Sequence, residues 1–244
     1  MTTTFDSLAE NYNAGRIGYA NEIYNHLLDF GLNPKHRILD IGCGTGLASA
    51  PLLDNNFSVV GVDPSEPMLA HAKRRYPDAL WVTGTAEKLP FDDASFDAVI
   101  SAQTIHRLDR PAAIAEIMRV LKPNGLTGIW WKHLMRDDAV KMMRDESAAE
   151  VGVNVPPSGL QGGFKEFYGA PWRDHTLRVV PWRTSMPLSQ VLQMERSRGN
   201  VHDRMGDRLE TYVSALERRL HERFGPGDSY VPLSYMHYLY LAKK

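Results

Sequence analysis

Cysteine is almost missing from this chain. Its 244 residues carry one, Cys43, so an intrachain disulfide is excluded and a thiolate metal cage has nothing to build on. Charge of one sign is missing as well. The formal net charge is −1, which gives no global field favouring nucleic acid or an anionic membrane. The arginines dense between 196 and 223 are interleaved with acids, as on a solvated helical face of mixed charge. No apolar run approaches the roughly 20 residues of a membrane helix. The N-terminal residues lack the basic and apolar blocks of a signal peptide, so a cytoplasmic location is expected. No His, Cys or carboxylate set shows metal-ligand spacing, and no metal is expected. Internal repeats and low-complexity tracts are also absent.

What is present is ordinary in bulk: 43% hydrophobic and 23% charged residues, as in a soluble globular protein. The length suits one α/β domain with a modest elaboration. Apolar residues Ile23, Leu27 and Phe30 recur at helical spacing before a first strand, Arg37–Ile41. A helix is expected from Gly46 to about Asn55, then a strand at Ser58–Val62. Asp63-Pro64-Ser65-Glu66 opens a helix through Arg75. Strands follow at Leu80–Thr83, Phe96–Ser101 and Leu126–Trp131, with a helix at Arg110–Leu121 before the last. Strands alternating with helices predict a doubly wound, mainly parallel, Rossmann-like α/β sheet of seven strands, with right-handed crossovers. After residue 132 the rhythm changes. A helix is expected at Asp137–Val151, a helical and loop cap rich in Gly, Pro and aromatics through 172, and helices near Leu188–Arg198 and Leu209–Phe224. Strands at Leu177–Pro187 and Tyr235–Leu241 would supply an antiparallel edge. The expected organisation is a single domain, 1–244. It has an N-terminal lid segment (1–20), a cofactor-binding core (21–132), a cap insertion (133–175) and C-terminal edge strands and helices (176–244).

The most telling stretch is Arg37-Ile38-Leu39-Asp40-Ile41-Gly42-Cys43-Gly44-Thr45-Gly46, followed by Val59-Val60-Gly61-Val62-Asp63. Glycines let backbone pass close beneath a ligand, and an acid at the tip of the next strand can accept both hydroxyls of a ribose. A nucleoside cofactor is implied. The dinucleotide fingerprint wants glycine where Leu47 stands. Asp40, two residues before the first glycine, would repel a pyrophosphate and suit a cationic group. Cys43 reads as a small filler, since nothing adjacent would activate it.

This pattern resembles the first motif of class I S-adenosylmethionine-dependent methyltransferases. Gly84-Thr85-Ala86-Glu87-Lys88-Leu89-Pro90-Phe91, Phe96-Asp97-Ala98-Val99 and Arg119-Val120-Leu121-Lys122-Pro123-Asn124-Gly125 match later segments of the same family. The likeness is to its small-molecule branch, methyltransferase type 11, with relatives in ubiquinone and menaquinone biosynthesis. It is close over about residues 10–132. The resemblance implies S-adenosyl-L-methionine as cofactor and S-adenosyl-L-homocysteine as product. It implies that Gly42, Gly44 and Gly46 run under the methionine and ribose, and that Asp63 takes the ribose hydroxyls. Pro64 and Met68 would flank the adenine, Ala86 would donate its backbone N–H to the ring, and Gln103 would lie near the methionine moiety. Where relatives carry an acid for the adenine amino group, this chain has Thr85, a neutral acceptor. Tyr12 to Tyr19 resembles the family's N-terminal Tyr–Arg–Tyr segment, so Arg16 is expected on the methionine carboxylate with Tyr12 and Tyr19 walling the site.

Methyl transfer is an in-line displacement that needs alignment and exclusion of water. His106, just after the fourth strand, is the candidate base if the acceptor must lose a proton. Trp131 and His133, at the end of strand five, are expected to face the acceptor. Phe164, Phe167, Tyr168 and Trp172 of the cap suit stacking on a flat or apolar one. Arg198, with His202 nearby, is a further candidate contact. The expected partner is a small planar, heteroaromatic, phenolic or acidic metabolite, with no nucleic acid and no membrane, and a monomer or homodimer as the assembly. The competing readings are a cofactor-binding regulator or a non-methylating catalyst, a nucleic-acid methyltransferase, and an NAD-linked oxidoreductase. The third lacks a basic patch; the fourth is opposed by Asp40 and Leu47.

Overall fold

The computed structural model describes residues 15–154, 167 and 169–244. These divide into two compact units. The sheet unit comprises 18–132, 167, 169–180 and 237–244; the helical unit comprises 15–17, 133–154 and 181–236.

Seven strands form one sheet: β1 (Arg37–Ile41), β2 (Ser58–Asp63), β3 (Leu80–Thr83), β4 (Phe96–Ala102), β5 (Leu121–Leu134), β6 (Asp174–Pro187) and β7 (Tyr230–Lys243). Their order is β3-β2-β1-β4-β5-β7-β6, mostly parallel with an antiparallel edge. β1 pairs in parallel with both β2 and β4, so the chain reverses its direction of travel across the sheet between them. That reversal is the switch point beyond which ligands of doubly wound sheets bind. Ile38, Leu39, Val99 and Ile100 are wholly buried, as expected where both faces of a parallel sheet are covered. Helices α1 (Asn21–Asp29), α2 (Ala50–Leu53), α3 (Glu66–Arg75) and α4 (Arg110–Val120) complete this unit. Two of them start on side-chain caps: Ser65 accepts from Met68 N and Asp109 from Ala112 N, each before an early proline.

Strands β6 and β7 begin earlier than expected, at Asp174 and Tyr230, and a helix at Gly199–Met205 was not expected; two further departures have a clear local cause. The helix after Gly46 shrinks to Ala50–Leu53, because three left-handed glycines hold the chain in a turn and Pro51 has no amide to bond backwards. Strand β5 starts at Leu121, not Leu126. Leu121 pairs with Phe96 and the register then shifts before Ala98 meets Leu126. Asn124, at φ 65°, carries the bulge between them.

Trp81 fills the space beneath the glycine turn. It is 6% exposed, packs with Cys43, Leu69 and Ala72, and donates its indole N–H to Tyr76 O at 3.0 Å. A methyl group on Gly61 would overlap the Trp81 ring, and one on Gly46 would come within 2.9 Å of it. Two glycines in the motif therefore serve a tryptophan on β3.

The helical unit is built on α5 (Ala139–Glu150), α6 (Leu188–Arg196), α7 (Gly199–Met205) and α8 (Leu209–Phe224). Asp138 caps α5 through Val140 N and Lys141 N, and also accepts from Ser234 N of β7. Val191, Val213, Leu216 and Leu220 lie in one apolar cluster with Val140 and Val231. Glu195 is fully buried within this unit. It pairs with Arg144 and with Arg198, and accepts from the Tyr212 hydroxyl at 2.7 Å. Burial opposes its charge, but the two guanidinium groups and the hydroxyl outweigh that and bring its pKa down to about 2.

Gly61→Ala should cost about 1–3 kcal/mol of stability through overpacking. Trp81→Leu in the same chain should return part of that loss, read by urea denaturation; strictly additive effects would separate the two residues. Glu195 ionises near 2 in the folded chain against an ordinary 4.5. Its contribution is therefore full above pH 4.5 and lost as pH falls toward 2. Glu195→Gln should be several kcal/mol less stable at pH 7, roughly 3–5. The gap to wild type should narrow between pH 4.5 and 2, measured by denaturant titration at each pH.

Candidate functional site

The turn after β1 is held from above and below. Gly42 N and Cys43 N both donate to Val62 O, at 2.8 and 3.2 Å. Thr104 Oγ1 donates to Gly42 O at 3.2 Å and Ser101 Oγ to Ile41 O at 2.8 Å. Gly42, Gly44 and Gly46 have φ of 66°, 52° and 77°, a region that side chains disfavour. A Cβ on Gly42 would overlap Thr104, whereas one on Gly44 would meet nothing within 4 Å. Gly44 thus leaves an open face of backbone where a ligand can lie.

Asp63 stands at the tip of β2 and holds that face. Its Oδ2 accepts from Gly44 N and its Oδ1 from Ser65 N, both at 2.9 Å. A carboxylate can accept about four hydrogen bonds, which is the chemistry that paired hydroxyl donors need. No Lys or Arg occurs between Asp40 and Asp63. An open glycine backbone beside an acid and no basic residue fit a nucleoside lacking phosphates, and so fit S-adenosylmethionine.

Asp40 is placed differently from the expectation that it faces a cationic group. It is 1% exposed and accepts from Ser49 Oγ at 2.6 Å. Burial raises its pKa to about 7, Ser49 opposes, and the Asp63 charge adds to the rise. It lies beneath the turn, buried against Ser49. Burial likewise pushes the Cys43 thiol well up, so it is no nucleophile at neutral pH.

The residues that the resemblance assigns to the adenine follow β2 and β3. Met68 and Ala86 are 3% and 5% exposed, and Pro64 is exposed. Gly84 N donates to Asp63 O, and Thr85 bridges to Lys88. Glu87 accepts from Asp109 N at 3.1 Å, ahead of α4. Arg119 of α4 grips this segment. Its Nη1 donates to Phe91 O at 2.8 Å and its Nη2 to Leu89 O at 3.1 Å, while Glu116 and Asp93 pair with it. Arg119 was not among the expected site residues; its spacing of three from Glu116 on a helix was the available sign.

At the end of β4, Gln103 adopts φ 58°, uncommon for a residue with a side chain. Its amide donates to Lys132 O at 2.8 Å and its N–H to Trp130 O at 2.9 Å. His106 sits in the short 3₁₀ turn Ile105–Arg107. Trp131 Nε1 donates to His106 Nδ1 at 3.2 Å. Indole only donates, so this bond requires an unprotonated Nδ1 and a neutral ring with its proton on Nε2. In that state the ring offers a donor at Nε2, contrary to the expectation of a base there.

The aromatic residues expected around the acceptor are packing residues first. Trp130 and Trp131 are both buried, at 0% and 2%. Trp172, 8% exposed, joins Phe167 and Trp131 in the core of the sheet unit. Tyr19, 9% exposed, meets Trp130 edge-on and carries Lys132 Nζ over its ring at 4.9 Å. Tyr12, Phe164 and Tyr168 lie outside the described residues. Arg16, His133 and Arg198 belong to the helical unit. Arg16 Nε donates to Ser197 Oγ at 3.1 Å. Arg198 pairs with Glu195, and His202 bonds Arg196 O at 2.7 Å. His133 has its pKa lowered by burial and by the Arg198 charge. Among the described residues no cluster of His, Cys, Asp and Glu could hold a metal ion, and no helix is long and apolar enough to cross a membrane.

Residues 39–129 match the family described as methyltransferase domain. An uncharacterized methyltransferase of Mycobacterium tuberculosis is 37% identical over 145 residues, 59% of this chain and 58% of that one. A demethylmenaquinone methyltransferase of Renibacterium salmoninarum is 44% identical over 131 residues, 51% and 55% of the two chains. The chain thus matches less than two thirds of the length of these relatives. Among solved structures, the fold is shared with a protein of Anaeromyxobacter dehalogenans carrying a proposed type II methyltransferase assignment. Its TM-score is 0.72 at 21% identity, over 93% of this chain and 97% of that one. It is also shared with the [4+2]-cyclase SpnF, with a TM-score of 0.53 at 19% identity over 94% and 84%. The glycine turn, the acid at the tip of β2 and the sheet order all stand in or beside residues 39–129, the stretch that matches a methyltransferase domain, and the likeness is to class I S-adenosylmethionine-dependent methyltransferases.

Proposed function

We propose that this chain transfers a methyl group from S-adenosylmethionine to a small-molecule acceptor. The observation that carries the reading is the open Gly44 backbone held by the Asp63 carboxylate. Asp63 would bind the ribose hydroxyls, Met68 and the Ala86 N–H would receive the adenine, and the chain around Gln103 would border the methionine. When bound, the cofactor supplies an electrophilic methyl carbon on a sulfonium. The protein's task is then to align the acceptor and keep water out. His106, fixed by Trp131, would contribute a hydrogen bond from Nε2–H to an acceptor oxygen or nitrogen and so orient its lone pair. The small-molecule acceptor is supported by the near-neutral charge of the chain and by the name of the demethylmenaquinone relatives. A cytoplasmic protein, working as monomer or homodimer without nucleic acid or membrane, completes the reading.

A second reading keeps the cofactor without the transfer, as regulator or as catalyst of a rearrangement. The shared fold with a cyclase is its support. Accumulation of S-adenosylhomocysteine when candidate acceptors are supplied decides between them.

Asp63→Ala should weaken cofactor binding by about 1.5–3 kcal/mol, the range for hydrogen bonds to a charged group. Unchanged affinity in calorimetry would remove Asp63 from the ribose role. His106→Ala should lower turnover while leaving cofactor affinity near wild type. His106→Gln, which keeps a donor near the Nε2 position, should retain more turnover than the alanine variant. Equal loss in both would favour a base.

A further inference from the structure

We infer that the helical unit holds a binding site for an anionic group of the acceptor, a carboxylate or a phosphate ester, formed by Arg144 and Arg198 with Arg16 at its margin. The inference rests on the transfer reaction proposed above for its purpose, though not for the binding itself.

Arg144, on α5, has a side chain 9% exposed, and its nearest ionic partner is Glu195 on α6. Arg198, just before α7, sends Nη1 to the same carboxylate, 3.1 Å from Oε1 and 3.4 Å from Oε2. Tyr212 of α8 donates to Oε2. One buried carboxylate is therefore shared by two guanidinium groups and a phenol. The pair alone leaves an excess of one positive charge, and a charge left uncompensated in a buried setting is costly.

The donors show the same surplus. Arg144 Nε is buried and meets no acceptor among the described residues. An unmet buried donor carries a desolvation cost that a native fold keeps only for a reason. Carboxylates and phosphates are the ligands that meet guanidinium groups in planar, two-point fashion. Three further groups of the helical unit lie around the cluster. Arg16 is tied by its Nε to Ser197, the residue before Arg198. Gly15 makes that possible, because a Cβ there would strike the Met194 backbone at 2.6 Å. Tyr235 lies within the field of Arg144, Arg16 and Arg198 as well as Glu195; burial holds its phenol protonated. His133, beside Arg198, is disfavoured from charging by burial and by that guanidinium. Arg198, with 30% of its side chain exposed, gives the cluster its solvent side.

The test uses the full chain and two probes, succinate and inorganic phosphate, titrated by calorimetry against chloride at matched ionic strength. Saturable binding of either is expected, succinate alone indicating a carboxylate site and phosphate alone a phosphate-ester site. Arg198→Gln should weaken it by about ten-fold or more, and Arg198→Lys by less, because the lysine keeps the charge and loses the fork. Arg16→Gln leaves the Glu195 pairs intact and should weaken it several-fold; it serves as the readout if Arg198→Gln unfolds. Absence of saturable binding, or equal binding by wild type, Arg198→Gln and Arg16→Gln, overturns the site. S-adenosylmethionine titrated into the same proteins separates the two proposals. Anion binding lost in the variants with no S-adenosylmethionine binding by wild type would sink the transfer reading and leave this site standing.

Discussion

The bond from Gly44 N–H to Asp63 Oδ2, 2.9 Å long, is the constraint on which the cofactor edge of this molecule depends. It joins the turn after one strand to the tip of the next, and does so with the group that would also meet the ligand. The turn is fixed from its other side by Thr104 and Ser101, both on the segment leaving β4. Three neighbouring strands thus converge on a short turn in which every second residue is glycine. Beneath them Trp81 occupies the hollow that Gly46 and Gly61 leave. Small residues above and a large one below make the turn both open to a ligand and rigid.

Much of the fold was legible in the sequence because parallel strands are buried on both faces and read as continuous apolar runs, as at Ile38–Ile41 and Val59–Val62. Helix α3 announced itself in the run Asp63-Pro64-Ser65-Glu66. Periodicity could not show that Pro51 would truncate the helix after the glycine turn, or that Asn124 would let β5 begin five residues early. Both depend on a single missing amide or one left-handed residue.

The shape of the candidate site was legible where it is made of backbone, at the Gly42–Gly46 turn, and less so where it is made of contacts between distant side chains. Trp81 and Gly61 are 20 residues apart in sequence and have no local signature as a pair. The same is true of Trp131 and His106, whose bond sets the tautomer. Asp40 shows the opposite difficulty: its type and position suggested a ligand contact, and only its burial against Ser49 reveals a residue lying beneath the turn. Arg16 was read beside the methionine carboxylate from its flanking tyrosines. Its bond to Ser197 instead groups it with the helical unit.

Arg119 holds the segment along the adenine edge by main-chain oxygens, those of Leu89 and Phe91. Every residue type presents the same carbonyl, so the grip does not depend on which side chains the segment carries. Shape and composition are thereby uncoupled: side chains between 85 and 91 can be exchanged while the path of the chain is kept. Thr85 stands within that segment, and a change of its hydroxyl would alter what the segment presents without moving the backbone that Arg119 holds.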